Sequence, residues 1–278
     1  EQKFFPKGAK YIQADIDPDE IGRNWVPDAA IVGDIKLVLE SLIRELKERN
    51  PDRRQWQSRA AALQSEKEGY VREVAAECLA ESVPIKTKRV MREMNEVFGD
   101  DAILVNENGS QDLWSYYWPY YRVRSTNSCI APGEQTCMGG GCSAAIGAKL
   151  ANPGRDVVCT TGDGAFQMFM KELSTAVQHR APVTYIVLNN YSLGWVKFGQ
   201  KNRGGRFIST DFEAQPDFAP IARAHQCHGE KIVNPADIRP ALERALAATR
   251  AGKPAVLDFT VDGWDFAPGF KRFYERLA

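Results

Sequence analysis

For residues 83–263 of this 278-residue chain, the sequence predicts an α/β fold: a parallel sheet with helices on both faces. Short apolar runs rich in Val, Ile and Thr alternate with longer segments of helical periodicity, as strand–helix repeats do. The runs AILV, VVCTT and YIVL are apolar almost throughout rather than alternating, as strands buried on both faces are. Composition agrees, since 44% hydrophobic and 26% charged residues suit a globular chain with a sizeable core.

Taken in order, AKYIQADID is a strand, PDEIG a turn, AAIVGD a second strand and IKLVLESLIREL a helix. Two strands are too few for a domain, so residues 1–50 are expected to close a Rossmann-like domain that begins upstream. Residues 51–82 are polar and helix-prone and read as a helical linker. From Val83 the alternation begins. IKTKRVMREMNEVF is a helix, AILVNEN a strand, CSAAIGAKLA a helix of small residues, and DVVCTTGDG a strand entering a loop. A helix starting near Phe166 covers FMKELSTAVQHR and is followed by the strand VTYIVLNN. FAPIARAHQ and DIRPALERALAATRA are helices and KPAVLDFTVD is the last strand. Residues 264–278 form a tail that mixes aromatics with Lys271, Arg272 and Arg276 and is a possible lid.

Several classes of function are disfavoured. Lys+Arg and Asp+Glu are 36 each, without the basic excess of a nucleic-acid surface. No apolar run approaches the roughly 18 residues of a membrane span, and EQKFFPKGAKYIQ lacks a signal-peptide apolar region. The six cysteines (78, 129, 137, 142, 159, 227) show no metal spacing and are expected to be buried, reduced thiols of a cytoplasmic protein. HQCH, with His225 and His228, hints at a metal but lacks further ligands; His179 stands apart.

In parallel sheets ligands sit at the carboxyl ends of strands, which directs attention to three loops. After AILV, Asn108, Gly109, Ser110 and Gln111 offer donors for phosphate oxygens. After VVCTT, Asp163 stands between Gly162 and Gly164, where backbone can approach a ligand closely and the next helix directs free N–H groups at an anion. An anion beside a fixed carboxylate calls for a cation, and Mg²⁺ on a diphosphate meets both charges. After YIVL, Asn189, Asn190 and the Ser192 carbonyl offer hard oxygens that suit Mg²⁺ rather than zinc.

GDG, about 25 residues and then NN resembles the signature of thiamine-diphosphate (ThDP) enzymes. PGEQTCMGGGCSAAIGAKLANPGRDVV resembles the segment preceding it in the acetolactate synthase branch, which includes the 2-hydroxyacyl-CoA lyases. AKYIQADIDPDEIGRN and AAIVGDIKLVLESL resemble the end of that branch's central domain. The resemblance implies that Asp163, Asn190 and the Ser192 carbonyl ligate Mg²⁺. It implies that Gly162, Gly164 and Ala165 face the diphosphate, with Gly109, Ser110 and Gln111 over its other side. Met138 would bend the cofactor, and the Met138 N–H and Thr136 carbonyl would hold its aminopyrimidine. Glu172, on the helix after GDG, is expected to be structural.

The activity implied is cleavage or formation of a C–C bond next to a carbonyl, with a 2-oxoacid, aldehyde or acyl-CoA substrate. The glutamate that activates the cofactor is expected from a pyrimidine-binding domain, supplied by the rest of a longer polypeptide or by a partner chain, in a homo-oligomer (dimer or tetramer). These residues alone are then expected not to turn over substrate. The central-domain tail implies ADP or FAD near Asp15, Asp34 and Ile35. In the pocket, Trp195, Val196 and Gly199 face the substrate. The branch's bulky Trp falls at Gly199 here while a Trp stands at 195, a departure that points away from acetolactate synthesis itself. KNRGGRF and the aromatic, basic tail would suit a CoA thioester. A non-catalytic or regulatory subunit that keeps the fold is the alternative, and a Rossmann-type oxidoreductase fits poorly.

Overall fold

The computed structural model describes residues 8–49, 54–110, 112–131, 133 and 136–270. The chain forms two compact units, Glu1–Lys67 and Glu68–Ala278.

In the first unit β1 (Ile12–Asp15) pairs in parallel with β2 (Ala29–Val32), Asp15 opposite Val32. α1 (Ile35–Arg49) follows and buries none of its residues; Leu39, Leu42, Ile43 and Leu46 are exposed. α2 (Arg54–Glu77) occupies most of the expected linker.

The second unit continues with α3 (Thr87–Phe98), β3 (Ile103–Asn106), β4 (Cys129–Ile130), α4 (Gly140–Ala151), β5 (Val157–Gly162), α5 (Asp163–Phe169) and α6 (Leu173–Gln178). β6 (Thr184–Asn189), α7 (Gly194–Asn202), α8 (Phe218–Ala224), β7 (His228–Ile232), α9 (Ile238–Arg250) and β8 (Ala255–Thr260) complete it. The six strands are parallel in the order β4-β3-β5-β6-β8-β7. Strand alternation feeds two cores. Leu104, Val158, Ile186, Leu188 and Leu257 face one layer with Val90, Met91 and Met94 of α3 and Leu242 of α9. Val105, Cys159, Tyr185, Val187 and Val256 face the other, with Cys142, Phe166, Phe169, Leu173 and Phe218. Both faces are therefore covered, which explains the apolar strand runs.

Five details differ from the sequence reading. The helix after β5 begins at Asp163, not near Phe166, because extended Gly162 (φ −80°, ψ 159°) passes straight from strand to helix. FMKELSTAVQHR is not one helix: a 3-10 turn at Met170–Glu172 separates α5 from α6. Ile85 leaves the expected helix because its N–H bonds to the Thr260 carbonyl and its carbonyl accepts from Asp262, a bridge to the chain end of β8. Three elements, β4, α7 and β7, were not expected. Cys129 and Cys137 are exposed rather than buried, although all six cysteines are free. Among the described residues no helix is long and apolar enough to cross a membrane. HQCH is divided: His225 Nδ1 shares a hydrogen bond with the Ser174 hydroxyl, while His228 enters β7 and pairs with Glu230.

Candidate active site

β5 and β6 are neighbours, with Gly162 opposite Leu188, so the chain leaves both strands at the same sheet edge. There it opens a cleft of about 430 Å³, within the usual range for small-molecule sites. Gly109, Ser110, Thr136, Met138, Gly162, Asp163, Gly164, Ala165, Asn190, Ser192, Trp195 and Val196 all line it. Asn108, Leu188, Leu193 and Gly194 line it as well. Gln111 lies outside the described residues. Gly199 sits further along α7 and is not among the described residues that line the cleft.

Asp163 is the first residue of α5, whose first-turn N–H groups have no intrahelical partner. Its carboxylate is 2% exposed, and no cation pairs with it among the described residues. Burial pushes it up to about 6, against the hydrogen bond from Gln215 and those of the Gly164 and Tyr191 N–H groups. The Gly164 N–H reaches Oδ1 at 3.0 Å and Gln215 Nε2 reaches Oδ2 at 2.7 Å. A buried carboxylate without a counter-charge is costly, and a divalent cation relieves that cost.

Across the cleft Tyr191 takes φ +55°, turning the chain sharply after β6. Asn190 Oδ1 accepts from the Ser192 N–H (3.1 Å) and hydroxyl (3.2 Å), closing an Asx turn that places the Asn190 amide and the Ser192 backbone together. Asn189 points elsewhere. It is buried, donates to Asp258 Oδ1 at 2.9 Å, and accepts from the Tyr191 N–H.

The remaining walls are apolar or backbone. A Cβ at Gly164 would stand 3.0 Å from Leu193 Cδ2 and 3.3 Å from Met138 Cε, so only glycine keeps the space between them open. Thr136 adopts φ +41°, and its carbonyl accepts from Asn108 Nδ2. Buried Glu107, which the sequence reading passed over, accepts from the N–H groups of Asn108 (3.0 Å) and Cys142 (2.9 Å). It thereby fastens the 108–110 loop to α4. Glu172 accepts from the Thr175 hydroxyl at 2.7 Å, a local helix contact.

Trp195 stacks edge-on against Phe270 at 4.8 Å, and Phe198 beneath it meets Phe266 at 4.4 Å. Residues 264–270 thus lie against α7. The basic segment meets the same layer, Lys201 Nζ lying 4.5 Å and Lys197 Nζ 5.3 Å from the Trp264 ring centre. Lys271, Arg272 and Arg276 fall outside the described residues.

Within the first unit Asp15 accepts from the Asp17 N–H (3.0 Å), and Asp34 accepts from the N–H groups of Lys36 (2.9 Å) and Leu37 (3.2 Å). Ile35 opens α1 and is exposed.

Asp163, Asn190 and Ser192 line one cleft here at a helix start and at the carboxyl ends of parallel strands. That arrangement suits a phosphorylated ligand at the helix start. Residues 108–259 match the family model described as "Thiamine pyrophosphate enzyme, C-terminal TPP binding domain". The chain belongs to the thiamine-diphosphate-dependent enzymes and corresponds to their C-terminal half. It is similar to the acetolactate synthase isozyme 3 large subunit of Escherichia coli K12 (33% identity, 94% of this chain, 45% of that protein). Similar too are the acetolactate synthase large subunit of Haemophilus influenzae (33%, 94% and 44%) and the acetolactate synthase of Mycobacterium bovis (32%, 92% and 41%). The chain spans less than half the length of these relatives.

Proposed function

We propose that this chain supplies the diphosphate- and Mg²⁺-binding half of an enzyme that makes or breaks a C–C bond next to a carbonyl. One observation carries the reading: Asp163, Asn190 and Ser192, from two adjacent strand ends, line one cleft. Bound ThDP supplies a nucleophilic carbon and an electron sink. Asp163, the Asn190 amide oxygen and the Ser192 carbonyl hold the metal, and the hardness of these oxygens favours Mg²⁺. The Gly162–Ala165 backbone receives the diphosphate, with Gly109 and Ser110 opposite and Gln111 assigned beside them. Met138 and Leu193 exclude water around the reacting end, and the Thr136 carbonyl and Met138 N–H orient the aminopyrimidine.

Relatives named acetolactate synthases support a 2-oxoacid or aldehyde substrate in a carboligation or decarboxylation. Trp195 and Val196 wall the acceptor side, and Gly199, one turn further along the same helix, is assigned next to it without lining the cleft. The acyl-CoA variant ranks second, because Lys197 and Lys201, which would meet a CoA phosphate, already pack on Trp264. The reading includes a pyrimidine-binding domain outside these residues, a dimer or tetramer, and ADP or FAD near Asp15, Asp34 and Ile35. A non-catalytic subunit is disfavoured by the buried, uncompensated Asp163, which such a role does not need. Asp163→Ala is expected to abolish Mg²⁺-dependent ThDP binding, read by calorimetric titration; unchanged binding rejects the proposal.

A further inference from the structure

The sequence between α7 and α8 folds back onto the ligand turn. The Leu193 N–H bonds to the Thr210 carbonyl at 2.8 Å and the Phe212 N–H to the Tyr191 carbonyl at 2.9 Å, with Ser192 bridging antiparallel to Asp211. This segment therefore clasps the backbone that presents Asn190 and Ser192. Three residues past Phe212, Gln215 reaches the opposite wall, and its Nε2 donates to Asp163 Oδ2 at 2.7 Å. One short segment thus holds both metal-facing walls.

The other end of that carboxamide is anomalous. Gln215 Oε1 is buried without a hydrogen-bond partner among the described residues. A buried amide oxygen left unsatisfied costs about 1–3 kcal/mol. Rotating the amide gives no relief, because it would set oxygen against the Asp163 carboxylate. The acceptor is therefore held in place by the bond its own nitrogen makes.

We propose that Gln215 is a positioning residue of the metal centre: Nε2 orients Asp163, and Oε1 accepts a hydrogen bond from a water carried in on the metal. This rests on the metal-site reading above. Mg²⁺ retains waters when carboxylate and phosphate oxygens bind it, and a water on a dication is a strong donor. Outer partners of this kind set ligand orientation and affinity. The orphan acceptor of the metal-free chain would then gain its partner on metal binding.

The test uses the chain with ThDP, titrated with Mn²⁺ and followed by electron paramagnetic resonance. Gln215→Met keeps the length and removes both polar ends. Gln215→Asn keeps the amide but withdraws it by one methylene. Both are expected to raise the Mn²⁺ dissociation constant by about 10–100-fold, while the thermal midpoint of the metal-free chain stays within about 2 °C of wild type. Affinities like wild type in both variants overturn the role of Gln215, as does a lowered metal-free midpoint with affinity preserved. Failure of wild type itself to bind Mn²⁺ with ThDP overturns the underlying metal-site reading.

Discussion

The two chain segments that leave β5 and β6 face each other across the cleft and are built in opposite ways. After β5 the strand becomes helix within one residue, so the Asp163 backbone is placed locally, and the Gln215 amide reaches its carboxylate from a distant position. After β6 the chain makes a left-handed turn at Tyr191 that is held by side chains, Asn189 on Asp258 and Asn190 on Ser192, and by the backbone clasp from Thr210 to Phe212. The backbone of the first wall is set locally, whereas the second wall depends on residues up to 69 positions away. The paired asparagines are therefore not two copies of one function. Asn190 faces the cleft and Asn189 anchors the turn from below.

If so, the largest effect on stability comes from removing the anchor. Asn189→Leu leaves the Asp258 carboxylate buried without its amide donor and is expected to cost about 3 kcal/mol in urea unfolding at pH 7. The cost depends on pH. Burial pushes Asp258 up to about 6; the Asn189 donor, the Lys231 ammonium and the Phe218 N–H oppose this, and Asp217 adds to it. The folded state thus holds a proton that the unfolded chain, near its ordinary value of about 4, has already released. Stability therefore falls as pH rises from about 4 to about 6 and then levels. Without Asn189 the carboxyl moves higher still, so the penalty is smaller near pH 4, where Asp258 is protonated in the folded state of both proteins, and grows as pH rises past about 6. A penalty equal at both pH values would show that Asn189 acts on the turn without Asp258.

Next is Gly194, which opens α7 just behind the turn. A Cβ there would run into the Ser110 hydroxyl and stand 2.8 Å from Asn190 Nδ2. Ser110 is short and 4% exposed, so it has little room to yield. Gly194→Ala is expected to cost about 2 kcal/mol, read as a lowered thermal midpoint, and to displace Asn190 enough to weaken ThDP binding at least tenfold, about 1.4 kcal/mol. A variant that loses stability but binds ThDP as wild type does would separate Gly194 from the site.

Legibility from sequence follows the same division. β3, β5, β6 and β8 were plain because both faces are covered and nearly every residue is apolar. β7 (HGEKI) lies at the sheet edge, with only Gly229 and Ile232 buried, and its polar residues conceal it. β4 is two residues long and carries no periodicity. The GDG wall is contiguous in sequence, so its reading needed no tertiary knowledge. Asp258 and Thr210 support the other wall from distant positions, as Gln215 supports the Asp163 carboxylate, and no local pattern distinguishes them from ordinary polar residues. Pairing in the sheet converts the two motifs into one cleft, a step that alternation of elements suggests but does not contain.

The smallest effect is expected on the wall whose backbone is set locally, at Gly164. Here the atoms a Cβ would approach, Leu193 Cδ2 at 3.0 Å and Met138 Cε at 3.3 Å, are the far ends of flexible side chains. The backbone is helical and Ala has the higher helix propensity by about 1 kcal/mol, which offsets much of the crowding. Gly164→Ala is therefore expected to change unfolding free energy by less than about 1 kcal/mol. What must give way is the cleft, because Leu193 and Met138 retreat into the space between the walls. ThDP affinity should fall further than stability does, a split that calorimetric titration and urea unfolding on the same variant can read. A loss of stability as large as that of Gly194→Ala would mean that the β5 wall is no more self-supporting than the β6 turn.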